Sequence, residues 1–301
     1  GSYDALSSSR DYAHTGRRCS DAGRPGQKEK SLACCEHKKM TPILEIKKLF
    51  KSFGGLEALK DITFDIKRGE IIGLIGPNGA GKTTLFNCVA GIEKPTGGQI
   101  IFTNGGRTIS IGGKKPETVT GLGIARTFQN IRLFDNLTVM DNVKIGRHCR
   151  TRSTFFGAVV RNRSQRAEEK GITESADQFL DFVGLKDRGE EIASSMPYGD
   201  QRRLEIARAL ATEPHLLMLD EPAAGMNPQE SRDLMALIHR IRDKGITILL
   251  IEHDMKVVMG VCERVVVINY GEWLTEGEPQ DVQNNPKVIE AYLGTGAANA
   301  A

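Results

Sequence analysis

Eight consecutive residues have the composition of a loop that wraps phosphate groups. They follow an apolar strand pattern and open a helical one, and they match GxxxxGK[ST]: Gly76, Pro77, Asn78, Gly79, Ala80, Gly81, Lys82 and Thr83. Glycines let main-chain N–H groups turn toward phosphate oxygens, and the helix N-terminus adds positive potential. The Lys82 ammonium can reach the β and γ phosphates, and the Thr83 hydroxyl can ligate Mg²⁺. A simple glycine turn explains the glycines but not the run Lys82, Thr83 and Thr84, so the sequence predicts a phosphate site.

Two acids end a second apolar strand. Asp220 and Glu221 follow four apolar residues at 216–219, and a buried carboxylate is costly unless a cation lies beside it. Ligands of α/β proteins gather at the carboxyl ends of strands. We expect Asp220 to hold Mg²⁺ through water and Glu221 to act as general base toward an attacking water. A solvated strand end is the alternative, which the upstream phosphate loop disfavours.

Strands and helices must alternate to bring these two segments together. The apolar residues at 234, 237, 238 and 241 lie on one face of a predicted helix, and that face is suited to packing on a sheet. Continuous apolar strands between helices predict a parallel sheet covered on both faces, and therefore an α/β fold. We predict strands at 43–49, 62–66, 71–75, 99–102, 215–219, 246–251 and 264–269, and helices at 82–92, 201–212, 228–243 and 254–261.

The chain divides into three parts by composition. Residues 1–40 are polar and lack an apolar period, which predicts a disordered N-terminal extension. One large domain is expected over 41–295, with a polar, helix-rich insertion at about 136–198. A flexible tail is expected over 296–301.

Charge and cysteine content exclude some functions. The formal net charge is +3, but residues 41–301 carry 33 basic and 33 acidic residues, so the bulk basic field typical of nucleic-acid binding is missing. The six cysteines include no CxxC pair, and they resemble reduced cytosolic thiols. Cys34, Cys35 and His37 lie in a polar segment, and we assign no metal to them. No apolar stretch approaches the ~20 residues that cross a bilayer.

Several further motifs, in order along the chain, carry a resemblance to a known family. Gln129 lies 47 residues after Lys82, and His253 lies 32 residues after Glu221. The segment 196–210 precedes Glu221, and Phe53 precedes the phosphate loop. Alone, each of these residues has an ordinary structural explanation. Together they resemble the Q-loop, switch histidine, signature helix and adenine-stacking aromatic of the ABC ATPase family.

The segment 196–210 departs from the usual family signature. Pro197 and Tyr198 stand where the family has Ser and Gly, and Asp200 stands where it has Gln. The hydroxyl that normally faces the γ-phosphate is therefore absent, although the Gly199 N–H can still contribute. The wider pattern, including the ending at 285–294, is similar to the G-type ATPase of high-affinity branched-chain amino-acid importers.

This resemblance implies a fold and a function. The fold is that of a P-loop NTPase with a parallel-sheet core, an antiparallel β subdomain and a helical insertion. ATP and Mg²⁺ are the implied cofactors. Each ATP would lie between Lys82 of one chain and Gly199 of a second, related or identical, ATPase. The implied site adds Phe53 for adenine, Gln129 and His253 for catalysis, and Gln129 as a metal ligand.

The implied partners are membrane permeases and, indirectly, a periplasmic binding protein, with no nucleic acid involved. The implied location is the cytoplasmic face of the inner membrane, as a peripheral subunit. Three alternatives stay open: the ATPase of a lipopolysaccharide-type exporter, a soluble non-transport ABC ATPase, and a nucleotide-binding regulator without catalysis. Asn227 is open too, since it fits either a helix N-cap or a contact loop between subunits.

Overall fold

A computed structural model describes residues 42–150 and 163–293, and all side chains in these ranges except those of 163–168 and 293. The predicted extension 1–40, the predicted tail 296–301 and the cluster of Cys34, Cys35 and His37 lie outside the described residues. Among the residues that are described, no helix is both long enough and apolar enough to cross a membrane.

A six-stranded sheet forms the centre of the chain. Its order is β10-β9-β3-β8-β7-β6, with every neighbouring pair parallel except β9 and β10. Every residue of β3, β7 and β8 is buried, because both faces of the sheet are covered, one by a helix together with a second sheet and the other by helices. The strands are β3 (Ile71–Ile75), β6 (Ile124–Arg126), β7 (Leu216–Asp220), β8 (Thr247–Ile251), β9 (Arg264–Asn269) and β10 (Glu272–Gly277).

A second, antiparallel sheet packs beside the first in the order β2-β1-β4-β5. The apolar residues of its long strands share one core with Ile72 and Leu74 of β3. Its strands are β1 (Leu44–Phe53), β2 (Leu56–Ile66), β4 (Gly97–Asn104) and β5 (Arg107–Ser110).

Helices complete the core on the other face. Ile71 and Ile75 of β3 point into a second cluster, which also contains the buried residues of α4 and α5. In the predicted insertion, α3 packs on α4 and α5. The helices are α1 (Lys82–Val89), α2 (Pro116–Leu122), α3 (Val139–Arg147), α4 (Arg163–Val183), α5 (Tyr198–Leu210), α6 (Pro228–Asp243), α7 (Met255–Val261), α8 (Pro279–Gln283) and α9 (Pro286–Leu293).

The predicted fold class is confirmed, with differences at element ends. Helix α6 and strand β9 have the predicted bounds. Helix α1 ends at Val89 instead of 92, because Gly91 turns the chain at φ 76°. Helix α5 begins at Tyr198 instead of 201. Strands β1, β2 and β4 are longer than predicted, and the short elements β5, β6, β10 and α2 were not predicted.

Asn227 caps α6 by a complete capping box. Its side chain accepts hydrogen bonds from the main-chain N–H groups of Gln229 and Glu230, and the Glu230 carboxylate accepts one from the Asn227 N–H. This confirms the N-cap interpretation, and the intersubunit role stays a prediction.

The β9–β10 hairpin has a strained first turn residue. Tyr270 and Gly271 form a two-residue loop with φ 47° and 79°, which defines a type I′ turn whose first position favours Asn, Asp or Gly. Tyr270 is 78% exposed, so burial of its ring does not offset the strain.

We predict that Tyr270→Asn stabilises the protein by up to about 1 kcal/mol, because Asn adopts the left-handed conformation at lower cost. Urea denaturation measures the change. Trp273→Asn in the adjoining strand is the control, and it is expected to lower stability because Asn disfavours strands. Equal effects of the two changes would contradict the assignment of strain to position 270.

Candidate functional site

The phosphate loop joins β3 to α1, and close main-chain contacts require two of its glycines. A Cβ added to Gly76 would lie 2.1 Å from the Ile268 carbonyl oxygen, and one added to Gly81 would lie 2.6 Å from the Ala58 carbonyl oxygen. Both residues also have positive φ, 154° and 102°. The loop is therefore held between β9 and β2.

Lys82 points back into the loop. Its Nζ atom donates hydrogen bonds to the carbonyl oxygens of Gly76 at 2.6 Å and Pro77 at 2.9 Å. Burial lowers the pKa of Lys82 from its ordinary value, while the carboxylates of Glu221 and Asp220 oppose that shift. The ammonium group is thus held at the loop's centre, close to both acids.

A cleft of about 560 Å³ opens over the loop. It brings together most of the predicted nucleotide and catalytic residues: Phe53, Asn78, Gly79, Ala80, Gly81, Lys82, Thr83, Thr84, Gln129 and Glu221. Sequence reasoning missed five further residues of its wall: Leu56, Glu57, Ala58, Lys60 and Tyr270. These come from β2 and from the β9–β10 turn, and no motif in the sequence links them to the loop.

Glu221 lies at one end of this cleft between two polar side chains. The Gln129 Nε2 atom donates to Glu221 Oε2 at 2.9 Å, and the His253 Nδ1 atom lies 3.6 Å from the same oxygen. Glu221 has φ 45°, a left-handed conformation that is costly for a residue with a side chain. The structure thus brings three of the four predicted catalytic residues into one cluster, and Lys82 lines the same cleft.

Asp220 forms an ion pair that sequence reasoning missed. The Arg126 Nη2 atom lies 2.9 Å from Asp220 Oδ2, and the Arg126 Nη1 atom donates to Asn87 Oδ1 at 2.5 Å. Burial raises the pKa of Asp220, and the hydrogen bond from Arg126 opposes that rise. Arg126 is three residues before Gln129, and that short spacing is the one sequence signal that places it near the site.

The three residues predicted to bind metal meet in one pocket. Thr83, Gln129 and Asp220 line a cavity of about 270 Å³ beside Arg126. Their hydroxyl, amide and carboxylate oxygens are the ligand types that Mg²⁺ prefers, so this donor set fits that ion. Among the described residues, no cluster of three or more His, Cys, Asp or Glu side chains could hold a metal.

Gly199 is the predicted site residue that the structure keeps apart from the others. It lies in the first turn of α5 and lines a separate pocket of about 140 Å³ with Pro197 and Asp200. Pro197 is the N-cap of α5 and offers no side-chain hydrogen bond. The Lys82 cleft of one chain therefore does not include its own signature residues.

Arg126→Met is expected to destabilise the protein by about 3–5 kcal/mol, because it leaves the buried Asp220 carboxylate without its partner. Chemical denaturation in the absence of nucleotide and Mg²⁺ measures the loss. The double variant Arg126→Met/Asp220→Asn is the control, and it should recover much of the lost stability because the uncompensated charge is gone. No recovery would contradict the pairing argument.

Comparison with known proteins agrees with this geometry. The sequence profile of the family described as "ABC transporter" matches residues 59–224, and that of "Branched-chain amino acid ATP-binding cassette transporter" matches residues 274–298. The chain is 44% identical over 254 residues to the high-affinity branched-chain amino acid transport ATP-binding protein LivG of Escherichia coli, covering 84% of this chain and 98% of that protein. BraF of Pseudomonas aeruginosa, which carries the same description, is 43% identical with the same coverage.

A solved structure supports the fold as well. The crystal structure of the ADP conformation of an ATP-binding cassette of an ABC transporter superposes with a TM-score of 0.72 at 31% identity, covering 84% of this chain and 99% of that one. The family resemblance read from the motifs is therefore confirmed. This chain belongs to the ABC transporter family, as one of its ATP-hydrolysing subunits.

Proposed function

We propose that this subunit hydrolyses ATP to power a membrane importer of branched-chain amino acids. The main support for a hydrolysis site is the position of Glu221, which lies between Gln129 and His253 and lines the phosphate-loop cleft. The substrate rests on the relatives, whose names describe high-affinity branched-chain amino acid transport.

In this proposal the Lys82 ammonium and the main-chain N–H groups of Gly76 and residues 78–81 bind the β and γ phosphates, while Pro77, which has no N–H, contributes only to the shape of the loop. Lys82 would exchange its hydrogen bonds to the loop carbonyls for bonds to phosphate oxygens. Phe53, 44% exposed at the end of β1, would contact the adenine at the other end of the cleft. Thr84, which also lines the cleft, would add a further hydroxyl group to its wall.

Thr83, Gln129 and Asp220 would hold Mg²⁺, since their oxygens line one pocket beside the phosphate loop. When bound, the ion neutralises charge that develops on the transferred phosphoryl group. Arg126 orients Asp220 for that task and opposes the rise in the pKa of Asp220 that burial causes. These residues are supported by their shared pocket and by the chemistry of their oxygens.

Glu221 would accept a proton from the attacking water, which is the role of a general base within hydrogen-bond reach. Gln129 and His253 both lie beside the Oε2 atom, and Glu221 lines the cleft. Lys82 would offset negative charge on the γ-phosphate during transfer. The strained backbone at Glu221 supports a functional constraint at this position.

We further propose that two ATPase subunits, related or identical, pair head to tail. The Lys82 cleft lacks its own Gly199, so a partner's signature residues would complete it. Membrane permeases would carry the transport path, and a periplasmic binding protein would supply the amino acid. The subunit would then bind peripherally at the cytoplasmic face of the inner membrane.

Glu221→Gln should keep ATP binding but reduce turnover at least about 100-fold, because the general base is lost while the shape of the side chain is kept. ATP hydrolysis and leucine uptake are measured together on the purified transporter in vesicles, with binding protein and radiolabelled leucine supplied. Both activities should fall.

Glu117→Gln, an exposed carboxylate on α2, is the matched control and should leave both activities unchanged. Wild-type hydrolysis by Glu221→Gln would reject the assigned base. Hydrolysis by the wild-type complex without leucine, isoleucine or valine uptake would reject the proposed substrate.

Pro197→Ser should raise turnover roughly two- to tenfold, because a hydroxyl at this position adds one hydrogen bond to the γ-phosphate held by the partner. Steady-state hydrolysis by the assembled transporter measures the change. Pro197→Ala separates loss of the ring from gain of the hydroxyl, and it should not reproduce the increase. Equal turnover in the two variants would mean that the hydroxyl is dispensable in this subunit.

A further inference from the structure

A fully buried ion pair lies on α5, one helical turn from the signature residues. Arg202 is 0% exposed and Glu205 is 1% exposed, and the Arg202 Nη1 atom lies 2.8 Å from Glu205 Oε2. Burial raises the pKa of Glu205, and the neighbouring Arg202 opposes that rise. Two charges are thus kept inside the core of the protein at a considerable desolvation cost.

Both members of the pair bind the main chain around Gln129. The Arg202 guanidinium donates from Nη1 to the Phe128 carbonyl oxygen at 2.6 Å and from Nη2 to the Gln129 carbonyl oxygen at 2.8 Å. The Glu205 Oε1 atom accepts hydrogen bonds from the N–H groups of Phe128 at 3.2 Å and Arg132 at 3.4 Å. The segment 128–132 has no helix or strand of its own, so side chains of α5 set its conformation.

The same guanidinium also reaches the signature end of α5. Its Nη2 atom donates to the Tyr198 hydroxyl at 3.2 Å, and Tyr198 directly precedes Gly199. Tyr198 is 45% exposed and stands where the family signature usually has glycine. A continuous set of contacts therefore runs from Tyr198 through Arg202 to the main chain of Gln129, whose side chain donates to Glu221.

Stability alone does not explain this arrangement. A buried ion pair contributes little net stability compared with apolar residues of similar volume. A planar guanidinium that binds two carbonyl oxygens fixes their positions closely, which a flexible ammonium does not. The pair therefore fits a positioning role.

We propose that Arg202, held by Glu205, is a positioning residue that ties Gln129 to the Gly199 end of α5. ATP bound by a partner subunit against Gly199 thereby sets the geometry of Gln129 and Glu221 in this chain. This inference rests on the proposed head-to-tail pairing, and it adds a communication route from one nucleotide site to the catalytic carboxylate of the other.

The first test compares Arg202→Lys with Arg242→Lys in the assembled transporter. The lysine at 202 keeps the charge near Glu205 but loses the two-carbonyl fork, while Arg242 is a partly exposed arginine of α6 that pairs with Glu263 and serves as the control. We expect Arg202→Lys to lower kcat roughly tenfold or more with little change in the KM for ATP, because Gln129 is misplaced and ATP binding is not. Arg242→Lys should keep both values.

Amide hydrogen exchange adds a readout that a purely structural role would not move. In a complex that carries Lys82→Ala in this subunit but not in its partner, the phosphate loop of this chain is impaired, so added non-hydrolysable ATP analogue acts through the partner's phosphate loop. We expect the analogue to slow exchange across residues 128–132, and we expect Arg202→Lys to abolish that slowing. The melting temperature of each variant separates this local effect from a global loss of stability.

Three results would overturn the proposal. They are unchanged kcat in a folded Arg202→Lys complex, a loss of kcat matched by an equal loss in Arg242→Lys, and analogue-induced protection at 128–132 that survives Arg202→Lys. Should Arg202→Lys fail to fold, the pair replacement Arg202→Met/Glu205→Leu, which leaves no unpaired buried charge, is held to the same outcomes. Absence of hydrolysis by the wild-type complex would instead reject the proposed function itself.

Discussion

Two carboxylates end a strand whose five residues are all buried, and the surrounding chain compensates that charge. Asp220 is paired with Arg126 at 2.9 Å, and Lys82 is close enough for both acids to oppose the fall in its pKa. Ionised groups in a low-dielectric interior are tolerated only with such partners. The strands β6 and β7 and the phosphate loop must therefore keep their relative positions, which place Lys82, Thr83 and Glu221 around one cleft and Asp220 in a second pocket that also contains Thr83.

Helix α5 connects this cleft to the predicted subunit interface. Its N-terminal turn carries Gly199, and its next turn carries the buried Arg202 and Glu205. Because these side chains bind main-chain groups of Phe128, Gln129 and Arg132, they restrain the loop that carries Gln129. The departures from the family signature at 197 and 198 thus alter a helix end whose tyrosine hydroxyl contacts Arg202, and Arg202 in turn binds the loop.

Long periodic elements could be predicted, and short ones could not. The apolar residues at 234, 237, 238 and 241, together with the N-cap Asn227, allowed the bounds of α6 to be predicted. The apolar run of β9 did the same for that strand. Strands β5 and β6 have four and three residues, which is too short for a period to be counted. Strand β1 extends to Phe53 because its last residues pair with β2, with Phe53 opposite Leu56. Phe50 also pairs with Gly97 of β4, and that partner is distant in sequence.

By itself, the sequence determined the phosphate loop, the acids at 220 and 221 and the family order of motifs, because each depends on neighbouring residues. Only the tertiary structure decided that Arg126 pairs with Asp220, that Arg202 and Glu205 bind the loop of Gln129, and that Tyr270 lies in the cleft wall. These contacts join residues 73–94 positions apart along the chain in the first two cases. No local pattern encodes such a pair, since its partners meet only when the sheets and helices have packed.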